Sequence, residues 1–218
     1  MTAGRAVIFD LDGVILDSER VAMGRWQQVG KVLGLDDMEQ VYLRCIGTTP
    51  AKTREIMEEA YGPGFSLEDF YTLLRVRFRR GEMGHMPVKP GAREILEALK
   101  AAGLTLAVAS SSPGDYVRQE LAAAGLLDFF DHVVTGDMVT HSKPDPEIFL
   151  KAGALCGVEP EEIWVIEDSF NGIRAAYAAG MRPLMVPDMV PPDGEMREKA
   201  EAILPDLPAA RAYILNDT

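Results

Sequence analysis

Two aspartates one residue apart, Asp10 and Asp12, end the apolar run Val7-Ile8-Phe9 and are followed by Gly13. On a strand the two carboxylates share a face, and Gly13 lets the backbone bend where a β-branched residue could not follow. Both then converge on one solvent-reachable point at a strand tip, a placement suited to a nucleophile beside a general acid/base. Close anions repel, so the pair requires a divalent cation, a shared proton or exposure to water. An EF-hand loop is excluded, because that pattern needs a third oxygen-ligand position before its glycine and a distal glutamate at fixed spacing. Alone, the same residues also describe an ordinary strand closed by an Asp-Gly turn.

The elements that would position these groups can be read from the apolar pattern. Five short runs have strand character: Ala6 to Phe9, Leu104 to Ala109, His132 to Thr135, Ile163 to Ile166 and Pro183 to Val186. Helical patterns lie between most of them. Ala92, Ile95, Leu96, Leu99 and Ala102 mark one face that stops at Gly103. Asp145 as N-cap and Pro146 at the first helical position open a second helix, with Ile148, Phe149, Ala152, Leu155 and Cys156 inward. A third follows Asn171, with Ile173, Ala176 and Tyr177 inward and Gly180 closing it. Near-continuously apolar strands alternating with helices predict an α/β, Rossmann-like core, a parallel sheet covered on both faces. Ligands of such sheets sit beyond the carboxyl ends of the strands. Polar residues gather at those ends here: Asp10 and Asp12, Ser110 to Ser112, and Glu167 with Asp168.

Residues 17–86 break the alternation. Trp26, Val29, Val32 and Leu33 fit one helix, Thr49-Pro50 opens another with Ile56, Met57 and Ala60, and Ser66 with Asp69 caps a third carrying Leu67, Phe70, Leu74 and Phe78. This predicts an all-α cap at 17–86, inserted into a core made of 1–16 and 87–218 and expected to lie over the aspartates as a lid. Trp26, Phe70 and Met23 are read as this cap's own core.

The chain has 218 residues, 47% of them hydrophobic, enough for a sizeable core. Its formal net charge of −12, from 22 Lys+Arg against 34 Asp+Glu, argues against nucleic acid or an anionic membrane as partner, so an anionic substrate must be held by local cations. Cys45 and Cys156 lie in apolar helical patterns and read as reduced thiols. No signal-peptide profile and no transmembrane-length run is present, which predicts a cytoplasmic protein, taken as a monomer.

Asp10-x-Asp12 after the first strand, Ser110 after the second, Ser142-Lys143-Pro144 in a loop and Glu167-Asp168 after a later strand form one ordered set. Together they resemble the haloacid dehalogenase superfamily of phosphotransferases. The closer resemblance is to its sugar-phosphatase and β-phosphoglucomutase-like branch, which begins much like Phe9-Asp10-Leu11-Asp12-Gly13-Val14-Ile15-Leu16-Asp17-Ser18-Glu19. The match runs over essentially the whole chain, helical cap included. It implies that Asp10 attacks phosphorus to form an aspartyl-phosphate and that Asp12 serves as acid, then base. It implies Mg²⁺ held by Asp10, the Asp12 main-chain carbonyl and Asp168, with Glu167 direct or through water. Ser110, the backbone around Ser111, and Lys143 would bind the phosphoryl oxygens of a small-molecule phosphate ester.

Each residue also has a plainer reading. Lys143 could be a solvated loop lysine, the serines a turn of which only Ser110 sits at a strand tip and Ser112 contributes least, and Glu167-Asp168 a charge pair at a helix N-terminus. Arg75, Arg77, Arg79 and Arg80 read as a solvated helix face, and His85, His132 and His141 have no metal or triad spacing.

Within the branch, mutases grip a second phosphate. The pattern expected for that has a histidine five residues after Asp17 and an arginine in the cap, where this chain has Ala22 and Pro50. Lys52, Arg44 or Arg54 are the remaining sources of that charge. The reading is therefore a phosphatase, with a phosphosugar mutase as alternative and a silent phosphoryl-ligand or protein binder as a distant third.

Overall fold

The computed structural model describes residues 4–78 and 85–217. Arg79 and Arg80 of the basic stretch lie outside them. The chain divides into two compact units, Met1–Asp17 with Pro87–Thr218, and Ser18–Met86.

The first unit is a six-stranded sheet in the order β3-β2-β1-β4-β5-β6, all neighbours parallel. Its strands are β1 (Ala6–Phe9), β2 (Thr105–Ser110), β3 (His132–Thr135), β4 (Ile163–Glu167), β5 (Arg182–Met185) and β6 (Ala202–Ile203). The four residues of β1 and the five of β4 are buried throughout, as strands covered on both faces must be. Ala6, Ile8, Ala107, Ala109, Val134, Val165 and the helix residues Ile148, Phe149 and Ala152 form one core cluster. The strand order reverses between β1 and β4, and the register sets Phe9 beside both Val108 and Ile166. The ends of β1, β2 and β4 therefore open on one crevice, the position at which such sheets bind ligands.

Among its described residues the second unit holds four helices, α1 (Ser18–Leu33), α2 (Met38–Cys45), α3 (Pro50–Tyr61) and α4 (Leu67–Arg77). Thr49 caps α3 by accepting from the Lys52 N–H at 3.3 Å, and Ser66 caps α4 by accepting from Asp69 N–H at 3.1 Å. Trp26 packs edge-on against Tyr42, Phe70 and Tyr71, so Trp26 and Phe70 belong to this unit's interior. Val32 and Leu33, expected on the inner face of α1, are exposed at 56% and 46%.

The core helices are α5 (Ala92–Ala101), α6 (Gly114–Ala123), α7 (Glu147–Cys156), α8 (Phe170–Ala178), α9 (Gly194–Lys199) and α10 (Leu207–Asp217). Pro146, not Asp145, is the N-cap of α7; the Asp145 carboxylate accepts from Glu147 N–H one turn position in, at 2.9 Å. Tyr177 and Leu155, read as inward, are exposed, and a Lys199 ammonium lies over the Tyr177 ring. Strand β6 and helices α6, α9 and α10 have no counterpart in the sequence reading. Among the described residues no helix is long and apolar enough to cross a membrane, and both cysteines are free.

Candidate active site

The segment that leaves β1 is held by its own apolar side chains. Leu11, Val14, Ile15 and Leu16 are fully buried, and the Gly13 and Leu16 amides donate to the Leu16 and Leu11 carbonyls at 2.9 Å. Gly13 turns this loop at φ 85°, and a Cβ there would stand 2.3 Å from an Asp168 carboxylate oxygen. Two reasons, backbone hand and room for Asp168, thus require glycine at one position.

Lys143 is the centre of the crevice. Its ammonium donates to Asp10 Oδ1 at 2.5 Å, Glu167 Oε1 at 2.6 Å and the Ala109 carbonyl at 3.1 Å. The side chains of Lys143, Asp10 and Glu167 are only 7%, 10% and 1% exposed. The Phe149 ring of α7 lies 4.8 Å from the same ammonium. The second Glu167 oxygen accepts from the Ser169 N–H at 3.0 Å and its hydroxyl at 2.9 Å, while Ser169 Oγ caps α8 by accepting from Gly172 N–H. A Cβ on Gly172 would meet the Glu167 carboxylate at 1.9 Å, so α8 can start this close to the acid only on a glycine.

Asp12 lies beside this group. Its Oδ2 accepts from the Ser112 hydroxyl at 2.8 Å, and the Ser110 hydroxyl stands at 3.5 Å, the outer limit of a hydrogen bond. Ser110, 1% exposed, accepts in turn from Ser112 N–H at 3.0 Å. Ser111 is exposed, and its carbonyl packs so tightly on Gly136 that a Cβ there would come within 2.2 Å.

One cation serves two buried carboxylates here, with Asp12 and Asp168 adjacent. Burial pushes the Asp10 carboxyl up to about 8; Lys143 opposes this, and the Glu167 and Asp12 charges add to it. For Lys143, burial works against the charge, but Asp10 and Glu167 outweigh it and hold the ammonium above the ordinary lysine range. Asp10, Glu167 and Asp168 each offer a carboxylate oxygen, all within 4.8 Å of one another. An excess of hard oxygen donors on an acid-rich crevice fits a divalent cation such as Mg²⁺. The structure thus brings together Asp10, Asp12, Ser110, Lys143, Glu167 and Asp168.

The site holds more than the sequence indicated. Ser112, ranked lowest of the three serines, makes the shorter hydroxyl bond to Asp12, and Ser169 and Phe149 fix Glu167 and Lys143. A second hydroxyl two residues past Ser110 was the available signal for Ser112.

Comparison with known proteins places the chain in a family. The family model for haloacid dehalogenase-like hydrolases matches residues 7–186. The chain is 35% identical over 176 residues to the phosphorylated carbohydrates phosphatase of Thermotoga maritima, covering 81% of this chain and 82% of that one. It is 31% identical over 199 residues to hexitol phosphatase B of Escherichia coli, covering 84% and 83%. A solved haloacid dehalogenase family hydrolase from Deinococcus radiodurans, with bound phosphate and sodium, superposes with a TM-score of 0.83 at 30% identity, covering 99% and 97%.

Proposed function

We propose, for a chain that belongs to the haloacid dehalogenase-like hydrolases, that it is a Mg²⁺-dependent phosphatase of small phosphorylated metabolites, sugar or polyol phosphates foremost. The observation that carries this reading is the Lys143 ammonium held between Asp10 and Glu167, beside an Asp12 bound by a serine hydroxyl.

An Asp10 carboxylate oxygen attacks phosphorus as the bond to the ester oxygen breaks, giving an aspartyl-phosphate. Asp12 delivers its proton to the departing oxygen, then takes one from the water that attacks the same phosphorus and returns Asp10. Ser110 and the backbone amides at Ser111 hold non-bridging oxygens, and Lys143 stabilises their charge. The Asp10 carboxylate, the Asp12 carbonyl and Asp168 would hold the metal. Glu167, whose two oxygens are engaged by Lys143 and Ser169, would act through water. The bound ion offsets repulsion between the nucleophile and the phosphate dianion.

The mutase alternative needs a grip for a second phosphate. Ala22 and Pro50 do not supply it, and of the three cations weighed for that role Arg44 is paired with Glu59 and Lys52 with Glu55 at 2.9 Å, while Arg54 is exposed.

A ³¹P NMR time course with Mg²⁺ and a panel of sugar and hexitol phosphates, including β-glucose 1-phosphate primed with glucose 1,6-bisphosphate, tests the reading. Inorganic phosphate should accumulate; migration of phosphate between carbons without release would replace the phosphatase by the mutase. Asp12→Asn should separate leaving groups, cutting release from sugar phosphates about 100-fold or more while an activated aryl phosphate loses far less in a pre-steady-state burst. Equal losses on both would remove the general-acid role.

A further inference from the structure

Lys143 reaches the site from the loop between β3 and α7, and the first two turns of α7 are wired to that loop. The Glu147 carboxylate accepts from two consecutive backbone amides, Thr140 N–H at 2.9 Å through one oxygen and His141 N–H at 2.8 Å through the other. The His141 ring Nδ1 lies 3.2 Å from the second oxygen. One turn on, the Lys151 ammonium donates to the Met138 carbonyl at 2.7 Å. On the other side of Lys143 the loop closes on itself, with Asp145 N–H donating to the Ser142 carbonyl at 3.0 Å and Asp145 Oδ1 accepting from Glu147 N–H.

We propose that Glu147 is the positioning residue of Lys143: bonded to the chain two and three residues ahead of it, its carboxylate fixes the loop so that the ammonium reaches Asp10 and Glu167. A carboxylate on two amides makes charge-assisted bonds, stronger than neutral ones, and their direction sets where the loop turns. The same two amides hold the Glu147 carboxyl below the ordinary glutamate range. Phe149, two residues further along α7, sits under the ammonium, so one helix start supplies both the tether and the seat. Glu147 itself is 34% exposed and touches neither Asp10 nor Glu167; it acts through the loop.

The catalytic consequence rests on the phosphatase reading, whereas the placement does not, and the test separates them. In ¹⁵N-lysine-labelled protein, a buried, hydrogen-bonded ammonium gives a slowly exchanging resonance. Lys143 should give one, identified by its absence from Lys143→Met, and Lys89, bonded to Asp188 at 2.6 Å and 15% exposed, serves as a second such ammonium. Glu147→Ala should lose or broaden the Lys143 signal and leave that of Lys89, while Glu147→Gln, which keeps an acceptor, retains both. In parallel kcat/KM should fall about tenfold or more in Glu147→Ala and less than about threefold in Glu147→Gln. An unchanged Lys143 signal in Glu147→Ala, its absence from the wild type, or joint loss of both signals would each overturn the positioning role. Wild-type protein that hydrolyses no phosphate ester would instead overturn the phosphatase reading, with the ammonium signals still deciding the tether.

Discussion

Asp10→Asn should lose turnover by about 10,000-fold or more while keeping its fold, because the carboxamide has nearly the same shape but no nucleophilic oxygen anion. The structure adds a second half to this expectation. Burial holds the Asp10 carboxyl up at about 8 in the metal-free protein, above the ordinary value of about 4. Between those two values the folded chain keeps a proton that the unfolded chain has released. The stabilising contribution is therefore complete below about pH 4 and is lost as pH rises through about 8. Asparagine carries no charge at any of these pH values, and Lys143 keeps Glu167 as a partner. In EDTA, Asp10→Asn should thus melt at or above the wild-type temperature at pH 9 and lose that advantage towards pH 5. Steady-state rates, with thermal melts across that range, measure both halves. Residual turnover within about 100-fold of wild type would remove Asp10 as nucleophile, and a deficit in stability growing with pH would mean that its bond to Lys143 outweighs the cost of burying its charge.

Much of this fold could be read from the chain because its strands are buried on both faces. Val7-Ile8-Phe9 and Ile163-Trp164-Val165-Ile166 admit no polar residue until the sheet ends, so the first acids mark the strand tips: Asp10 after β1 and Glu167 at the end of β4. What lies across the sheet is different in kind. Ser112 meets Asp12 over 100 residues of chain, an encounter made by the pairing of β1 with β2 and marked in the sequence only by a second hydroxyl two residues past Ser110. Ser169 and Glu147 stand at helix starts, and their partners depend on how α8 and α7 approach the sheet. Tyr177 misled because its spacing from Ile173 fits a helix repeat. The buried residues of α8, namely Gly172, Ile173, Ala175 and Ala176, centre the inner face elsewhere and leave Tyr177 outside it. Strand β6 is two residues long, and α10 buries only Leu207, Ala210 and Ile214, too few to stand out from the surrounding alanines.

Lys143→Met should be the most damaging single change in the crevice to stability, and it should cost rate as well. Methionine matches the length of the stem and packs on Phe149, so the loss is electrostatic rather than steric. It leaves Asp10 and Glu167, 10% and 1% exposed, facing each other without their shared cation. Removing one partner of a buried charge cluster costs about 3–5 kcal/mol. Asp10, whose carboxyl burial already raises, can relieve that cost by keeping its proton, so in EDTA the deficit should be smaller at pH 5 than at pH 9. A divalent ion offers the other relief, and Mg²⁺ should raise the melting temperature of Lys143→Met more than that of the wild type. Turnover should fall by about 100- to 1,000-fold even where circular dichroism shows the variant folded, since a preorganised donor to the phosphoryl oxygens is gone. A metal-free variant as stable as wild type at pH 9 would show that Asp10 and Glu167 do not depend on this lysine. Near-normal rates in a folded variant would show that the phosphoryl group does not either.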